Sequence, residues 1–322
     1  MGSPYLADIR DLTKADITVL RGKVPQFSAT SKDDSMAGRI GMLIDMAPSI
    51  YPGDTVVLSD GDWDWGLLYW ILPPVTIVGW GRGITRLISH QEDQAGHCGF
   101  ELFRGANLEN LDLIWKPKDN LIRGGQTIGI ARRDAPPMIQ SNLNQVDVYS
   151  WGASAFYFWG GGSKHKVRAT SCSFNAGRWP VVIGDSRSAD YVYLTLETCK
   201  IVADFPVYGG AGGDMSLPPN TTGLLVRGGT CVMNGGAIIS NGGPNFELCL
   251  GAAVSSLGDH GYPNLPTAGM VGDLTLNNVT IRTNPDGATH VADLWEQAGS
   301  LHVVGGTGSA PDGSFIKQTG PF

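Results

Sequence analysis

Val167-Arg-Ala-Thr-Ser-Cys172-Ser-Phe174, Leu194-Thr-Leu-Glu-Thr-Cys199-Lys-Ile201 and Val226-Arg-Gly-Gly-Thr-Cys231-Val-Met233 are variations on one template. Ser141-Asn-Leu-Asn-Gln-Val146-Asp-Val148 keeps the rhythm with Val in place of Cys. Counted from the Cys or Val, apolar or small residues recur at minus five, minus three, zero and plus two, with Ser141 and Gly228 the weak members. The pair before position zero is polar or Gly: Asn144-Gln145, Thr170-Ser171, Glu197-Thr198 and Gly229-Thr230. Alternation on both sides of a fixed break predicts two short strands joined by a two-residue corner, with the apolar face kept inward.

A unit of this size cannot bury such a face alone, but it can when stacked on copies of itself, which is how a solenoid is built. Val146, Cys172, Cys199 and Cys231 are 26, 27 and 32 residues apart, a spacing that suits one coil of a large parallel β-helix with loops absorbing the variation. Ala106-Asn-Leu-Glu-Asn-Leu111-Asp-Leu113 and Leu274-Thr-Leu-Asn-Asn-Val279-Thr-Ile281 repeat the template, so the repeat spans most of the chain. Cys172, Cys199 and Cys231 fall on inward positions and read as small hydrophobes in a core stack. No Cys-x-x-Cys or Cys/His metal spacing occurs, and neither metal nor cofactor is expected.

With 322 residues, 45 of them Gly and 16% charged, the chain suits tight turns between short strands rather than helix bundles. The net charge of −7 and the lack of a basic patch with interleaved aromatics argue against nucleic acid. No 18-residue apolar run exists, so no membrane helix is expected, and the N-terminus does not read as a signal peptide. The domain reading is an arm or attachment segment over 1–35, a parallel β-helix over 36–310 and a tail over 311–322. Met36 to Ile50 carries Met, Ile and Leu at roughly helical spacing and reads as a short helix capping the open end of the solenoid. Gly79-Trp-Gly-Arg-Gly83 follows a strand with no helix after it, so it reads as a turn and not as a phosphate loop.

Tyr51-Pro-Gly-Asp-Thr-Val-Val-Leu-Ser-Asp-Gly61 and Pro74-Val-Thr-Ile-Val-Gly-Trp-Gly-Arg-Gly83, ahead of the coils, resemble the pectate-lyase-like superfamily of right-handed parallel β-helices. The resemblance implies an all-β solenoid. Its members include lyases, hydrolases, epimerases and non-enzymatic phage tail proteins, so it does not choose among functions.

A third strand is expected in each coil, at Thr127–Ala131, Ser154–Gly160, Pro180–Asp185, Pro206–Gly210 and Gly236–Asn241. In the second of these, Tyr157 and Trp159 alternate with Phe156 and Phe158, so two aromatics face outward. Trp179 and Tyr208 stand at corresponding edges, and in polysaccharide-active members of the superfamily this strand floors the groove. Tyr157, Trp159, Trp179 and Tyr208, with Arg133 and Arg178, are therefore the sugar-contact candidates. The turns beyond carry Asp134, Asp185, Arg187 and Asp214. Carboxylates two coils apart fit the separation glycosidases need, and Arg187 or Arg178 is a candidate lyase base. Ordinary turn charge is the competing reading for each. Asp112, Asp147, Ser173, Lys200, Val232 and Thr280, at plus one of the templates, read as an ordinary solvent face or a packing surface, with Asp112 and Asp147 as rung neighbours.

The functional expectation is a phage virion protein of tailspike, fibre or capsid-decoration type that recognises, and in the catalytic version cleaves, cell-surface polysaccharide. Partners would be that polysaccharide, other virion subunits and copies of itself in a homotrimer, and not membrane. The alternative is a secreted, extracellular polysaccharide lyase or glycoside hydrolase whose leader has been removed.

Overall fold

In a computed structural model, the structure describes residues 15–29, 39, 45–64, 74–89, 98–101, 105–115, 126–130, 138–151, 154–158, 164–177, 179–183, 192–204, 223–226, 229–241, 254–256, 272–284, 294–296, 300–309 and 317–319. These residues are nearly all β. Sixteen described strands form one sheet and eight form a second. Parallel pairing runs through both, apart from a hairpin at one end.

In the first sheet the chain comes back, one pass after another, beside its own earlier pass. Val56, Ile77, Leu108, Leu143, Ala169, Leu196, Met233 and Leu276 are successive register partners. So are Trp63, Leu87, Leu113, Val148, Phe174, Ile201, Ile238 and Ile281. Both rows are buried and belong to one core, which also holds Phe156, Val181, Ile183, Leu224 and Val226 of the second sheet. Phe156 and Phe174 meet edge to face, with ring centroids 5.7 Å apart, and join the two sheets directly.

The expected corners exist, and one backbone conformation makes them. Asn110, Gln145, Ser171, Thr198 and Asn278 all sit at φ between 51° and 54°. One left-handed residue resets the alternation, so minus five, minus three, zero and plus two can all face inward. The Cys231 segment follows the rule in a different register. Cys231 pairs with Leu194, a minus-five position, and Gly236 pairs with Cys199. Gly229 (φ 77°), Gly235 (φ 65°) and Gly236 (φ 89°) all have positive φ, and because Gly236 stands opposite Cys199 the corner is Asn234-Gly235-Gly236 and not Gly229-Thr230-Cys231. Alternation repeats every two residues and cannot place the break; the left-handed residues together with the pairing register do. Cys231 is buried nonetheless. One more corner, Gly305-Gly306, follows strand Ser300–Val304 and extends the repeat past the last template read from the sequence.

Within the segment expected as an arm, strands Ile17–Arg21 and Val24–Ala29 form an antiparallel hairpin that closes one edge of the first sheet against Thr55–Leu58. Pro25 stands on the outermost strand, where the missing N–H blunts an otherwise open edge. Arg21 ties the hairpin down, donating to both oxygens of Asp54 at 2.9 and 3.0 Å while its guanidinium lies 4.5 Å from the Tyr51 ring centroid. That fork holds the Asp54 carboxyl below the usual range. Most of the segment expected as a capping helix, residues 36–50, lies outside the described residues. Within it Arg39, Asp45 and Met46 have helical backbone, and the described end is a 3-10 turn, Ala47–Ser49, closed by Ile50 N–H donating to the Ala47 carbonyl at 3.1 Å. Pro48, which has no N–H, sits inside it. At the other end, Lys317–Thr319 pairs with Leu294–Glu296, so part of the expected tail lies in the second sheet.

Candidate functional site

The second sheet carries the strand expected to floor a groove. Gln126–Ile130, Ser154–Phe158 and Val181–Ile183 are neighbours, as anticipated. The next described strand is Leu224–Val226, the expected Pro206–Gly210 lies outside the described residues, and Gly236–Asn241 lies in the first sheet. Phe156, Val181 and Leu224 face the core, and the alternate row runs Gly129, Tyr157, Val182, Leu225. Tyr157 and Trp179, both half-buried, pack with Val182 and Leu225 as a small cluster separate from the main core. The structure thus brings together two of the expected sugar-contact residues, on a patch that is apolar and well packed. Arg133, Asp134, Trp159, Arg178, Asp185, Arg187, Tyr208 and Asp214 lie outside the described residues.

A second polar arrangement stands on the outer face of the first sheet. Asp62, Arg86, Asp112, Asp147, Ser173 and Lys200 are consecutive register partners. Asp112 and Asp147 are rung neighbours as the sequence suggested, on strands about 4.8 Å apart. Of the two readings of this column, Asp112 fits the packing surface and not the solvent face, being only 5% exposed. The reason is the turn after strand Thr76–Val78. Where later passes make a two-residue corner, this one inserts Gly79–Ile84 before Thr85–Ser89, and the insertion folds over the ladder. Gly83 N–H donates to Asp112 Oδ2 at 3.0 Å. Arg82 donates to Asp147 Oδ1 and to the Ser171 carbonyl, each at 3.2 Å. Arg86 turns the other way and pairs with Asp62 at 2.6 Å.

Burial pushes the Asp112 carboxyl up to about 6, and the charge on Asp147 pushes the same way; the Gly83 amide, Arg86 and Arg82 pull against them. Asp112 Oδ1 is buried without a hydrogen-bond partner. The arrangement can hold a proton near neutrality beside a second carboxylate that an arginine occupies. The sequence signal for it was the length of Gly79-Trp-Gly-Arg-Gly83: an oversized corner with an Arg at its tip has to put that charge somewhere on the sheet. Gly79 is needed where it stands, since a Cβ there would collide with the Asn110 carbonyl of the next strand.

No group of three or more His, Cys, Asp or Glu side chains placed to hold a metal occurs among the described residues. Cys172, Cys199 and Cys231 are free thiols in the core, and burial pushes Cys172 and Cys231 up, so both stay protonated and unreactive. No helix among the described residues is long and apolar enough to cross a membrane. No protein-family model, curated protein or solved structure matches the chain.

Proposed function

We propose that the chain is a right-handed parallel β-helix of the pectate-lyase-like kind, and that it serves in a phage virion as the part that meets cell-surface polysaccharide. Rung-by-rung parallel register over two sheets sharing one core supports the solenoid reading. The observation that carries the binding reading is the Tyr157–Trp179 patch on the alternate row of the second sheet. Flat aromatics beside aliphatic residues suit the apolar faces of sugar rings, with directional hydrogen bonds supplied from neighbouring loops.

Glycan-array binding of the full chain is the test. A defined polysaccharide should bind, and Trp179→Ala should weaken it by about 1–2 kcal/mol. Absence of any glycan ligand, or full binding by that variant, overturns the reading. In this proposal the protein works as a homotrimer beside other virion subunits, so light scattering should return three times the chain mass. Reducing-end release from the bound glycan tests the enzymatic alternative, lyase or hydrolase.

A further inference from the structure

The segment between strands Thr76–Val78 and Thr85–Ser89 reaches in two directions. On one side Trp80 packs over Leu20 and Val57, which lie on the outer face of the first sheet and are buried beneath it. On the other side Arg82 and Gly83 hold Asp147, the Ser171 carbonyl and Asp112. In sheet order these contacts run from Ile17–Arg21, through Thr55–Leu58, Thr76–Val78, Asn107–Trp115 and Met138–Ser150, to the corner that ends Lys164–Thr170. Six strands at the usual spacing measure about 24 Å between the outermost pair. A handful of residues therefore straps the hairpin end of the sheet to its middle, across the strands rather than along them.

The strap has one conditional fastening. Asp112 gives one oxygen to the Gly83 amide, and its other oxygen is buried without a donor. Such an oxygen is tolerable on a neutral acid and costly on a carboxylate. The charged groups around it are Asp147 on the neighbouring strand, Arg82 from the strap (engaged with Asp147) and Arg86 on the opposite strand (engaged with Asp62). Glu109 is on Asp112's own strand, beyond the Asn110 corner. Neither arginine makes a hydrogen bond or ion pair with Asp112 itself.

We propose that Trp80–Ile84 is a latched strap that ionisation of Asp112 releases, uncovering Leu20 and Val57 together with the Asp112–Asp147 carboxylates. Opening returns Asp112 to water, where its affinity for a proton drops. The closed form, with its carboxyl near 6 against an ordinary 3.8, is favoured while Asp112 is protonated and loses ground as pH rises through 6. A gap of about two pH units between the closed and open carboxyl limits the swing to about 100-fold in the closing equilibrium.

Hydrogen exchange of the full chain, corrected for intrinsic rate and followed from pH 5 to 8 in a peptide covering residues 80–85, reads the latch. Wild-type protection should fall by about 10-fold across that range, while Asp112→Asn should hold it flat. A flat wild-type profile overturns the proposal, as does a slope that survives Asp112→Asn. So does an equal loss of protection over Leu194–Ile201, which would mean the whole sheet is opening. Because a substitution at a buried position can alter folding, the Asp112 carboxyl carbon should also be titrated by NMR in the wild type. A midpoint near 6 is required, and one below 5 sinks the latch.

Discussion

Two kinds of corner bend the first sheet, and they use the same backbone for different ends. At Asn110, Gln145, Ser171, Thr198 and Asn278 the left-handed residue bears a side chain, and the next residue, Leu111, Val146, Cys172, Cys199 or Val279, plugs the core. At Gly235-Gly236 and Gly305-Gly306 both residues are Gly, both have positive φ, and no side chain enters the core. The glycine corners sit tight against the pass before them. A Cβ on Gly236 would strike the Cys199 backbone, and one on Gly306 would strike that of Val279. The first kind of corner is held by what it buries, the second by how closely it approaches. Breaking each kind therefore takes opposite changes: adding bulk to the glycine corners, or spoiling the buried plug of the others.

The largest effects should come from those two insults. Cys199→Asp places an unpaired carboxylate at a position that is 0% exposed, and unfolding free energy should fall by about 3–5 kcal/mol. Gly236→Ala forces a methyl group into the Cys199 carbonyl at a left-handed φ of 89°, and a loss of about 3 kcal/mol or more is expected. Urea denaturation measures both. If Gly236→Ala left the midpoint unmoved, the close approach would not be what holds that corner.

The same contrast marks how far the sequence can be read. The side-chain corners are legible because an apolar plug two residues before another apolar residue leaves a recognisable pattern. The glycine corners leave none. Cys231 and Met233 alternate as a plug pair does, so the pattern puts the break five residues early, and nothing in it marks Gly305-Gly306 as a corner at all. The inner face of the first sheet largely follows from alternation, but Val226, read as minus five of a first-sheet template, and Gly236–Asn241, read as a second-sheet strand, each lie in the other sheet. The outer face does not: Asp112 stands where alternation puts a solvent residue, and only an inserted turn 29 residues earlier in the chain, at Gly83, buries it.

Asp112 gives the next prediction, of middle size. Its carboxyl is raised in the folded chain, from 3.8 to about 6. Below pH 4 the group is protonated folded or unfolded, and Asp112→Asn should match the wild type. Between 4 and 6 the folded chain holds the proton and the unfolded chain does not, so wild-type stability falls as pH rises through that window. Above 6 the variant should be the more stable by about 1–3 kcal/mol, since each pH unit between the folded and unfolded midpoints is worth about 1.4 kcal/mol. Paired urea titrations at pH 4 and pH 8 read the difference directly. A variant no more stable at pH 8 than at pH 4, relative to wild type, would place the strain elsewhere.

The smallest effect expected is also the sharpest test of the side-chain corners. Thr198 is β-branched yet sits at φ 51°, a conformation that suits Asn far better and that Asn110 and Asn278 adopt at φ 54° in equivalent corners. Its hydroxyl offsets part of the strain, donating to the Glu197 carbonyl at 2.8 Å and lying 3.2 Å from the Ser171 hydroxyl. Thr198→Asn relieves the β-branch and keeps a polar side chain over an exposed corner, so stability should rise by about 0.5–1 kcal/mol. Thr198→Gly relieves the same strain but adds freedom to the unfolded chain, a cost of about 0.5–1 kcal/mol, and drops the hydroxyl, so it should come out near zero or below. The ranking Asn above Thr, and Thr at or above Gly, is what left-handed strain at a side-chain corner demands. If Asn falls below both, the Ser171–Thr198 contact between neighbouring passes outweighs the backbone, and the corners are held from outside the core as well as from within it.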